Sequence, residues 1–289
     1  MSGPLDDDDD GDDDDASSAA DTDPTGAPQD TGSSADSGDD ADADSDDGES
    51  TGASSGDDGD VESSSSEGGA VTCSSLESDA STVALWHFDD GAGQVVVDAS
   101  GHGRNLQLGP TAGSDSADPV WGSGKFDGGL AFTNADQDYA TGNVGNTFPT
   151  NEVTVEFWVR STSNDYAQLF TAGFVNCFVA MDDNGGGIQF GIGDGSNWEF
   201  LTASVPAGTL NDGEWHYIAA TYDGAAMRGY ADGLEIGSIA ASTTLAAPGD
   251  YKVGGRPANT FLDGDMDDVR VSDVARSADE IAAAYAGCE

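Results

Sequence analysis

The stretch that decides the fold is Val153-Thr-Val-Glu-Phe-Trp-Val-Arg160. Every odd-numbered residue in it is apolar, and the polar residues Thr154, Glu156 and Arg160 fall between them. Successive side chains of a β-strand point to opposite faces of the sheet, so this stretch predicts a strand with one purely apolar face. Such a strand is typical of a two-sheet sandwich, where the apolar faces of both sheets form the core.

Similar short β-prone stretches recur from Thr82 to the end of the chain, separated by clusters of Gly, Asp, Asn and Pro. This spacing predicts an all-β sandwich rather than alternating strands and helices. Asp223-Gly224 and Asp232-Gly233 each lie between two stretches, as tight hairpin turns require. Ser277-Ala-Asp-Glu280 is a capping box that predicts the only helix, and Gly287 supplies its stop. The other predicted strands are 83–88, 94–97, 130–133, 168–172, 176–181, 187–192, 198–203, 215–222, 227–231, 235–240, 251–254 and 265–271.

The first 69 residues differ sharply in composition from the rest. Residues 1–70 contain 25 Asp or Glu and no Lys or Arg. Their apolar residues are almost all Ala, and the only larger aliphatic residues after Met1 are Leu5 and Val61. Such a segment buries too little apolar surface to offset the entropy of ordering, and its like charges extend it. We therefore predict a disordered acidic arm at 1–69 that acts as a spacer, and one folded domain at 70–289. Residues 42–48 resemble the start of an EF-hand loop, but no helices flank them and Ala53 stands at the twelfth position.

The charge of the chain, −48, excludes nucleic acid as a partner, because no basic patch is present to displace counterions from phosphate. It argues equally against an anionic membrane surface, and no stretch approaches the ~20 apolar residues of a membrane span. Met1 to Leu5 run directly into acidic residues, so no signal peptide is visible. Either an export signal has been removed or mis-assigned, or the chain stays inside the cell.

Cysteine usage favours export. Cys73 precedes the first predicted strand and Cys288 is the penultimate residue, so the two bracket the folded part. The first and last strands of a sandwich are expected to lie side by side, so we predict a Cys73–Cys288 disulfide; the alternative is three unpaired thiols in a reducing cytosol. Cys177 lies in a predicted strand and is expected to be a small buried hydrophobe.

Six motifs occur in the right order over about 200 residues and give the chain from Val83 to Ala286 its resemblance to a known family. It resembles the laminin-G-like jelly roll of the concanavalin A-type lectin and glucanase superfamily. Relatives of this type include adhesive modules, sugar-binding modules and appendages of larger enzymes, so the fold does not fix the function. The motifs are Leu85-Trp-His-Phe-Asp-Asp-Gly-Ala-Gly93 with Asp98-Ala-Ser-Gly-His-Gly103, Gly128-Gly-Leu-Ala-Phe132, 153–159, 212–224, 230–233, and 261–271 with 275–281.

The resemblance implies two stacked antiparallel sheets of roughly six or seven strands each. It also implies a structural calcium at the edge of the sandwich, held by oxygens from the first turn and the closing strand. The matching positions are Asp89 or Asp90 with Asp265 or Asp267. Carboxylates and carbonyls from loops suit this hard ion, although the same acids also serve to cap turns and face water.

Catalysis has little support in the sequence. Glycosidases need two carboxyl groups facing each other across a cleft, and those of this superfamily carry alternating acids on one strand. The nearest pattern here is Asp263-Gly-Asp-Met-Asp267, on the closing strand, while Glu156 is a lone acid. His87, His102 and His216 are too scattered for a zinc site, and His216 is expected to be packed and hydrogen-bonded. No nucleophile elbow or phosphate-binding loop occurs.

Sugar recognition needs an aromatic platform and a few fixed polar groups. Trp86, Trp158 and Trp215 lie inside strand motifs and are expected in the core. We therefore predict a non-catalytic extracellular binding module, a monomer, that binds a glycan or a surface protein. The alternatives are a purely structural or protein-adhesion domain and a glycoside hydrolase. The candidate ligand-binding residues are Tyr166, Trp198 and Tyr251 with the polar Asn164, Asn197 and Arg256.

Overall fold

The computed structural model describes residues 72–143, 148–173, 176–247, 249–256 and 260–288. All of them belong to one compact unit, Ser65–Glu289. The acidic arm at 1–69 lies outside the described residues, as does the EF-hand-like stretch at 42–48. The disorder expected for the arm therefore stays a prediction.

The described residues form sixteen strands and one α-helix, and each predicted strand overlaps an observed one. Three observed strands, β3, β4 and β6 below, are additional. The elements are β1 Thr82–Trp86, β2 Val95–Val96, β3 Leu106–Leu108, β4 Val120–Ser123, β5 Gly128–Phe132, β6 Ala140–Gly142, β7 Val153–Ser161, β8 Ala167–Ala172, β9 Cys177–Met181, β10 Gly187–Gly193, β11 Trp198–Ser204, β12 His216–Tyr222, β13 Ala226–Ala231, β14 Leu234–Ala240, β15 Tyr251–Val253, β16 Gly264–Ser272 and α1 Ala278–Tyr285.

The strands form two antiparallel sheets of eight strands each, which confirms the sandwich. The first sheet has the order β14-β13-β12-β7-β16-β5-β4, and β1 also pairs with β16 in it. The second sheet has the order β11-β10-β9-β8-β15-β6-β3-β2. The count exceeds the expected six or seven because the additional strands are only 3 or 4 residues long. Strands that short show no alternation in the sequence.

The core between the sheets contains the alternating apolar residues of β7, as expected. Val153, Val155, Phe157 and Val159 are all 0 % exposed and belong to one large cluster with residues of both sheets. Burying such side chains stabilises the fold by about 1.5–3 kcal/mol each. The opposite face of β7 is buried as well, so it does not face water as its polar residues suggest.

A second, smaller cluster covers that opposite face of the first sheet. It joins Trp158 and Tyr217 of the sheet to Ile281 of α1 and to Leu76 of the N-terminal segment. Cys73 and Cys288 form a disulfide at its edge, which confirms the predicted pairing. The first and last strands of the domain, β1 and β16, are hydrogen-bonded neighbours, as that prediction requires.

The local signals at turns and helix ends are also confirmed. Asp232 and Gly233 have φ angles of 49° and 76°, the left-handed backbone that a tight hairpin between β13 and β14 needs. Ser277 and Glu280 form a reciprocal capping box at the start of α1. Gly287, with φ 80°, follows its end. No helix in the described part of the chain is long and apolar enough to span a membrane.

Candidate functional site

Glu156, the lone acid of β7, is sealed inside the structure. Its carboxylate is 0 % exposed and accepts hydrogen bonds from Arg270 Nε at 2.8 Å and from the Tyr217 hydroxyl. Arg276 Nε lies 3.2 Å from the same carboxylate. Burial and the neighbouring Glu156 charge raise the pKa of Tyr217 well above its usual value. A carboxylate with these partners and no solvent access cannot reach a substrate.

The acids Asp265 and Asp267 of the closing strand have different surroundings. Asp265 is paired with Arg160, whose Nε and Nη2 lie 3.1 and 3.0 Å from one carboxylate oxygen. Asp267 is buried and accepts hydrogen bonds from the backbone N–H groups of Phe126 and Asp268. Burial raises the pKa of Asp267 to about 7, and the charges of Asp268 and Asp89 add to this effect.

The carboxylates expected at the calcium site are only partly brought together. Asp89 accepts a hydrogen bond from the Gly128 N–H at 2.7 Å and lies near Asp267. Asp90 instead accepts from the Val97 N–H at 3.1 Å. Asp265 does not fit a cation site, because Arg160 already neutralises it. Among the described residues, no group of three or more His, Cys, Asp and Glu side chains is arranged to hold a metal ion.

The histidines are structural, as expected for His216. Its ring lies between Asp232 at 2.8 Å and Asp212 at 3.2 Å. Both hydrogen bonds raise the pKa of His216, and the one with Asp232 has the larger effect. His87 contacts the buried Asp268 at 2.5 Å, and this hydrogen bond raises the pKa of His87. His102 contacts Ser100 Oγ in a surface loop.

Two of the three tryptophans expected in the core are found there. Trp86 and Trp158 are 0 % exposed, whereas Trp215 is only partly buried and lies beneath the Arg160 guanidinium. Cys177 is fully buried in the main cluster, and burial raises its pKa, so the thiol is not reactive.

Tyr251 is the clearest correction among the predicted ligand-binding residues. It is 0 % exposed and its ring packs against Trp86, Phe148 and Phe170 in the main core. Burial raises its pKa. Tyr251 begins β15, a predicted strand that lies in the interior of the second sheet, and a strand of only 3 residues does not reveal which way its aromatic ring points.

The remaining predicted residues do not form one site. Trp198 pairs with Gly193 at one end of the β10–β11 ladder, and Asn197 precedes it. Tyr166 lies just before β8, whose first residue pairs with Met181 at the opposite end of the sheet. Arg256 lies close enough to Tyr166 to influence its pKa, which burial raises, and Asn164 hydrogen-bonds Asn211 in that same region. The two groups lie at opposite ends of the seven-residue strands β10 and β11.

Around Trp198 the structure forms an aromatic patch of Phe178, Trp198 and Phe200. The Trp198 and Phe200 rings stack with centroids 5.7 Å apart and an interplanar angle of 15°. Phe178 contacts both, at 5.6 and 6.0 Å. Phe200 is 52 % exposed and Trp198 is half-buried, so the stacked pair is in part accessible to solvent.

The strand register explains why these three rings meet. Phe178, Gly191 and Phe200 are direct neighbours across β9, β10 and β11. A side chain at Gly191 would meet the Phe178 ring at 2.2 Å, so the glycine leaves room for that ring over β10. Leu201 and Ala203 point into the core between the sheets, so the rings of β11 lie on the outer face of the second sheet.

Polar residues continue this outer face across the second sheet. Thr171, Lys252, Thr141 and Gln107 follow Phe178 in register on β8, β15, β6 and β3. Lys252 is ion-paired with Asp250. At the far end lies an open cleft of about 470 Å³, lined by Val95, Asn105, Leu106, Gln107, Thr141, Gly142, Asn143 and Asp250. The face thus combines an aromatic platform with fixed polar groups.

Phe178, Phe200 and Gly191 were missed by the sequence analysis. A signal was present, because Trp198 and Phe200 are separated by one residue in a predicted strand and must share a face. Which face that is depends on the register with β10, which the sequence does not show.

Comparison with protein families identifies the fold. A family model described as the concanavalin A-like lectin/glucanases superfamily matches residues 133–282, more than half of the 289 residues. No curated protein matches the chain.

Many solved structures are similar to the chain. The botulinum neurotoxin serotype D binding domain is 14 % identical with a TM-score of 0.56, over 72 % of this chain and 52 % of that one. The binding domain of botulinum neurotoxin DC in complex with rat synaptotagmin II is 11 % identical with a TM-score of 0.57, over 72 % and 52 %. Domain 4 of AbnA, a GH43 extracellular arabinanase from Geobacillus stearothermophilus, in complex with arabinotriose, is 16 % identical with a TM-score of 0.54, over 70 % and 97 %. This chain therefore spans about half the length of the toxin domains, and at these identities the likeness concerns the fold alone.

Proposed function

We propose a function from the premise that this chain belongs to the concanavalin A-like lectin/glucanase superfamily. The chain is a non-catalytic extracellular module that binds a glycan on the outer face of its second sheet. The observation that carries the proposal is the stacked pair of Trp198 and Phe200, in which Phe200 is 52 % exposed. An isolated exposed ring needs no explanation, but two near-parallel rings that both contact Phe178 are held in one orientation. A rigid aromatic surface gives large contact area at low cost in conformational entropy.

Hydrogen-bonding groups around the patch supply the specificity that apolar contact lacks. Gln189 and Thr202 are register partners on β10 and β11, one step along the same face. Asn197 lies beside Trp198 and is exposed, and its side-chain amide is held by Asp194 at 3.1 Å. A sugar has both apolar C–H faces and hydroxyl groups, so it fits a surface of rings rimmed by amides and hydroxyls.

The similarity to domain 4 of the arabinanase supports a carbohydrate ligand. That domain was solved with arabinotriose, and this chain covers 97 % of it. The toxin binding domains support binding more generally, since one was solved with a synaptotagmin. The outer face here runs across eight strands, about 34 Å at ~4.8 Å between neighbouring strands, so it accommodates an oligosaccharide rather than a single sugar.

The cellular setting and the remaining partners belong to the same proposal. The Cys73–Cys288 disulfide supports an extracellular location, because such bonds persist in oxidising compartments. The acidic arm holds the domain, as a monomer, away from whatever it is attached to. The calcium that the family resemblance implies at Asp89 and Asp267 is not part of this proposal, because both carboxylate oxygens of Asp267 already accept backbone hydrogen bonds.

The test is retention of the full chain on a panel of insoluble polysaccharides, arabinan included, with released reducing sugar measured in parallel. We expect retention without release, and about 5- to 150-fold weaker binding for Phe200→Ala and Trp198→Ala, since an aromatic stacking contact contributes about 1–3 kcal/mol. The matched control is Leu234→Ala on β14, which removes an equally apolar side chain that is 71 % exposed on the other sheet.

Two results would count against the proposal. Retention that is unchanged in both aromatic variants would remove the patch from the binding site. Release of sugar by the wild-type chain would restore the hydrolase alternative.

Protein adhesion is the second candidate, and an edge strand favours it. β14 is the last strand of the first sheet, and its Leu234 and Ile239 are 71 % and 48 % exposed. An exposed edge strand presents unpaired backbone groups that accept a strand from a partner. No retention on any polysaccharide, together with binding to a surface protein that Ile239→Lys abolishes, would favour this function.

A further inference from the structure

Two carboxylates in the loops that precede β4 and β6 each have an oxygen without a partner among the described residues. Asp138 is 2 % exposed; one oxygen accepts the Thr133 N–H at 2.8 Å, and its Oδ1 is buried with no hydrogen-bond partner among the described residues. Asp118 is similar, with Oδ2 accepting the Asp115 N–H at 2.9 Å and a buried Oδ1 that has no partner. A buried acceptor left unpaired costs about 1–3 kcal/mol, and more when it is charged.

The chain brings these two residues together through two backbone hydrogen bonds. Tyr139 accepts the Gly109 N–H at 2.8 Å and donates to the Ala117 carbonyl at 3.4 Å. Asp138 and Asp118 are the immediate neighbours of Tyr139 and Ala117. Gly109 has a φ angle of 62°, and a side chain there would meet Asp118 Oδ1 at 2.1 Å, so the glycine gives that oxygen its position.

The electrostatics of the pair are unfavourable without a further partner. Burial raises the pKa of Asp138 to about 6, and the charges of Asp136 and Asp118 contribute to that rise. Asp138 is therefore ionised at pH 7 beside a second carboxylate. None of the ion pairs between described side chains includes Asp118 or Asp138.

We propose that Asp118 and Asp138 bind a divalent cation, calcium, between their unpaired oxygens. A hard cation accepts carboxylate oxygens directly and completes its shell with backbone carbonyls and water. The inward-pointing, unpartnered oxygen of the buried Asp138 distinguishes this site from the surface acids of the chain. The site is separate from Asp89 and Asp267 and does not depend on the glycan-binding function.

The cation would fasten the loop between β3 and β4 to the loop between β5 and β6. These loops join strands of different sheets, since β3 and β6 belong to the second sheet and β4 and β5 to the first. A cation held between them therefore clamps the two sheets together at one end of the sandwich.

The test uses thermal unfolding of the full chain, stripped of metal by a chelator and then measured at pH 7.5 with and without calcium. About 5 mM calcium suffices for a site of the 10⁻⁴–10⁻³ M class of extracellular modules. We expect calcium to raise Tm by several degrees in the wild type and not in Asp138→Asn or Asp118→Asn. Without calcium, Asp138→Asn is expected to be at least as stable as the wild type, because it removes a buried charge.

Two controls isolate the site. Asp165→Asn removes an exposed carboxylate of the same charge, and Asp89→Asn removes the ligand expected from the family resemblance; both should keep the calcium effect. Terbium bound beside Tyr139 should show tyrosine-sensitised emission that calcium displaces and Asp138→Asn abolishes. The acidic arm contains no Trp, Tyr or Phe, so ions condensed there are not sensitised by a neighbouring ring of the arm.

The proposal fails if the wild type gains nothing from calcium, or if the gain survives Asp138→Asn. It also fails if Asp89→Asn removes the gain as completely as Asp138→Asn does. A Tm that instead rises on acidification through pH 6 in the wild type and is unaffected by calcium would show that the two carboxylates share a proton.

Discussion

At the scale of single residues, charge and burial decide what each acid does. Glu156 and Asp265 both project from central strands of the first sheet, and both face an arginine. Glu156 is fully buried, whereas the side chains of Asp265 and Arg160 are 27 % and 38 % exposed. A carboxylate–arginine ion pair therefore contributes differently to the free energy of unfolding at the buried Glu156 and at the partly exposed Asp265.

This difference predicts contrasting effects of two isosteric substitutions. Glu156→Gln leaves Arg270 buried without its counter-charge and should lower the free energy of unfolding by about 3–5 kcal/mol. Asp265→Asn breaks a partly exposed ion pair and should cost about 0–1 kcal/mol. Chemical denaturation at one pH and ionic strength measures both, and equal losses would show that the Glu156 network is not stabilising in the way described.

Residue roles were predicted well where a motif fixed the environment and poorly elsewhere. His216, Trp86 and Cys177 were expected to be packed, and they are buried. Tyr251 was proposed as a ligand-binding residue at a loop or strand end, yet its ring lies in the core. Three residues are too few to reveal whether an aromatic side chain points inward.

At the scale of elements, the aromatic patch of the second sheet depends on one glycine in β10. β10 reads Gly-Ile-Gln-Phe-Gly-Ile-Gly, so its apolar residues face the core and Gly191 faces outward. A larger residue at that position would displace Phe178 from its contacts with Trp198 and Phe200. The glycine is thus part of the platform although it offers no contact of its own.

Gly191→Ala should therefore displace the Phe178 ring and weaken the aromatic patch. The added methyl group would meet the Phe178 ring at 2.2 Å, and such overpacking costs about 1–3 kcal/mol of stability. Retention on the polysaccharide that binds the wild type should fall as it does in Phe200→Ala. The matched control is Gly122→Ala on the edge strand β4, where nothing lies within 4 Å of the added atom. Equal retention by the two variants would contradict the role given to Gly191.

The strands themselves were largely predictable, whereas three of them were not. β7 and β12 were predictable because they contain 9 and 7 residues, many of them β-prone, and β7 also alternates clearly. β3, β4 and β6 contain only 3 or 4 residues and are strands because neighbouring strands provide hydrogen-bond partners. Pairing partners are distant in sequence, so local patterns do not reveal such strands.

At the scale of the whole molecule, one disulfide closes the domain. It joins residues 215 positions apart, and its edge of the structure includes the N-terminal segment and α1. Both segments cover the outer face of the first sheet, where Trp158 and Tyr217 are buried. The disulfide therefore holds the two terminal segments against the outer face of the first sheet, where they cover the second hydrophobic cluster.

Removing the disulfide should lower the stability of the domain. The double variant Cys73→Ser/Cys288→Ser should lose up to roughly 4–5 kcal/mol of unfolding free energy in the loop-entropy model. A reductant should destabilise the wild type to the same level and leave the variant unchanged, since Cys177 is buried and unpaired. Chemical denaturation followed by Trp fluorescence measures both effects. A reductant effect that persists in the variant would show that the bridge is not its origin.

The sequence by itself determined the sandwich, the position of most strands, the hairpin turns, the helix cap and the disulfide. These depend on local alternation, on turn residues with left-handed backbone, and on the ends of the domain meeting at paired strands. Only the tertiary structure decided that Tyr251 is core, that Tyr166 and Trp198 lie at opposite ends of a sheet, and that Phe178, Gly191 and Phe200 are neighbours. It likewise decided that Asp118 and Asp138 each carry an unpaired oxygen. Sites form where distant strands and loops meet, and strand register, which sets those meetings, arises from packing across the whole chain.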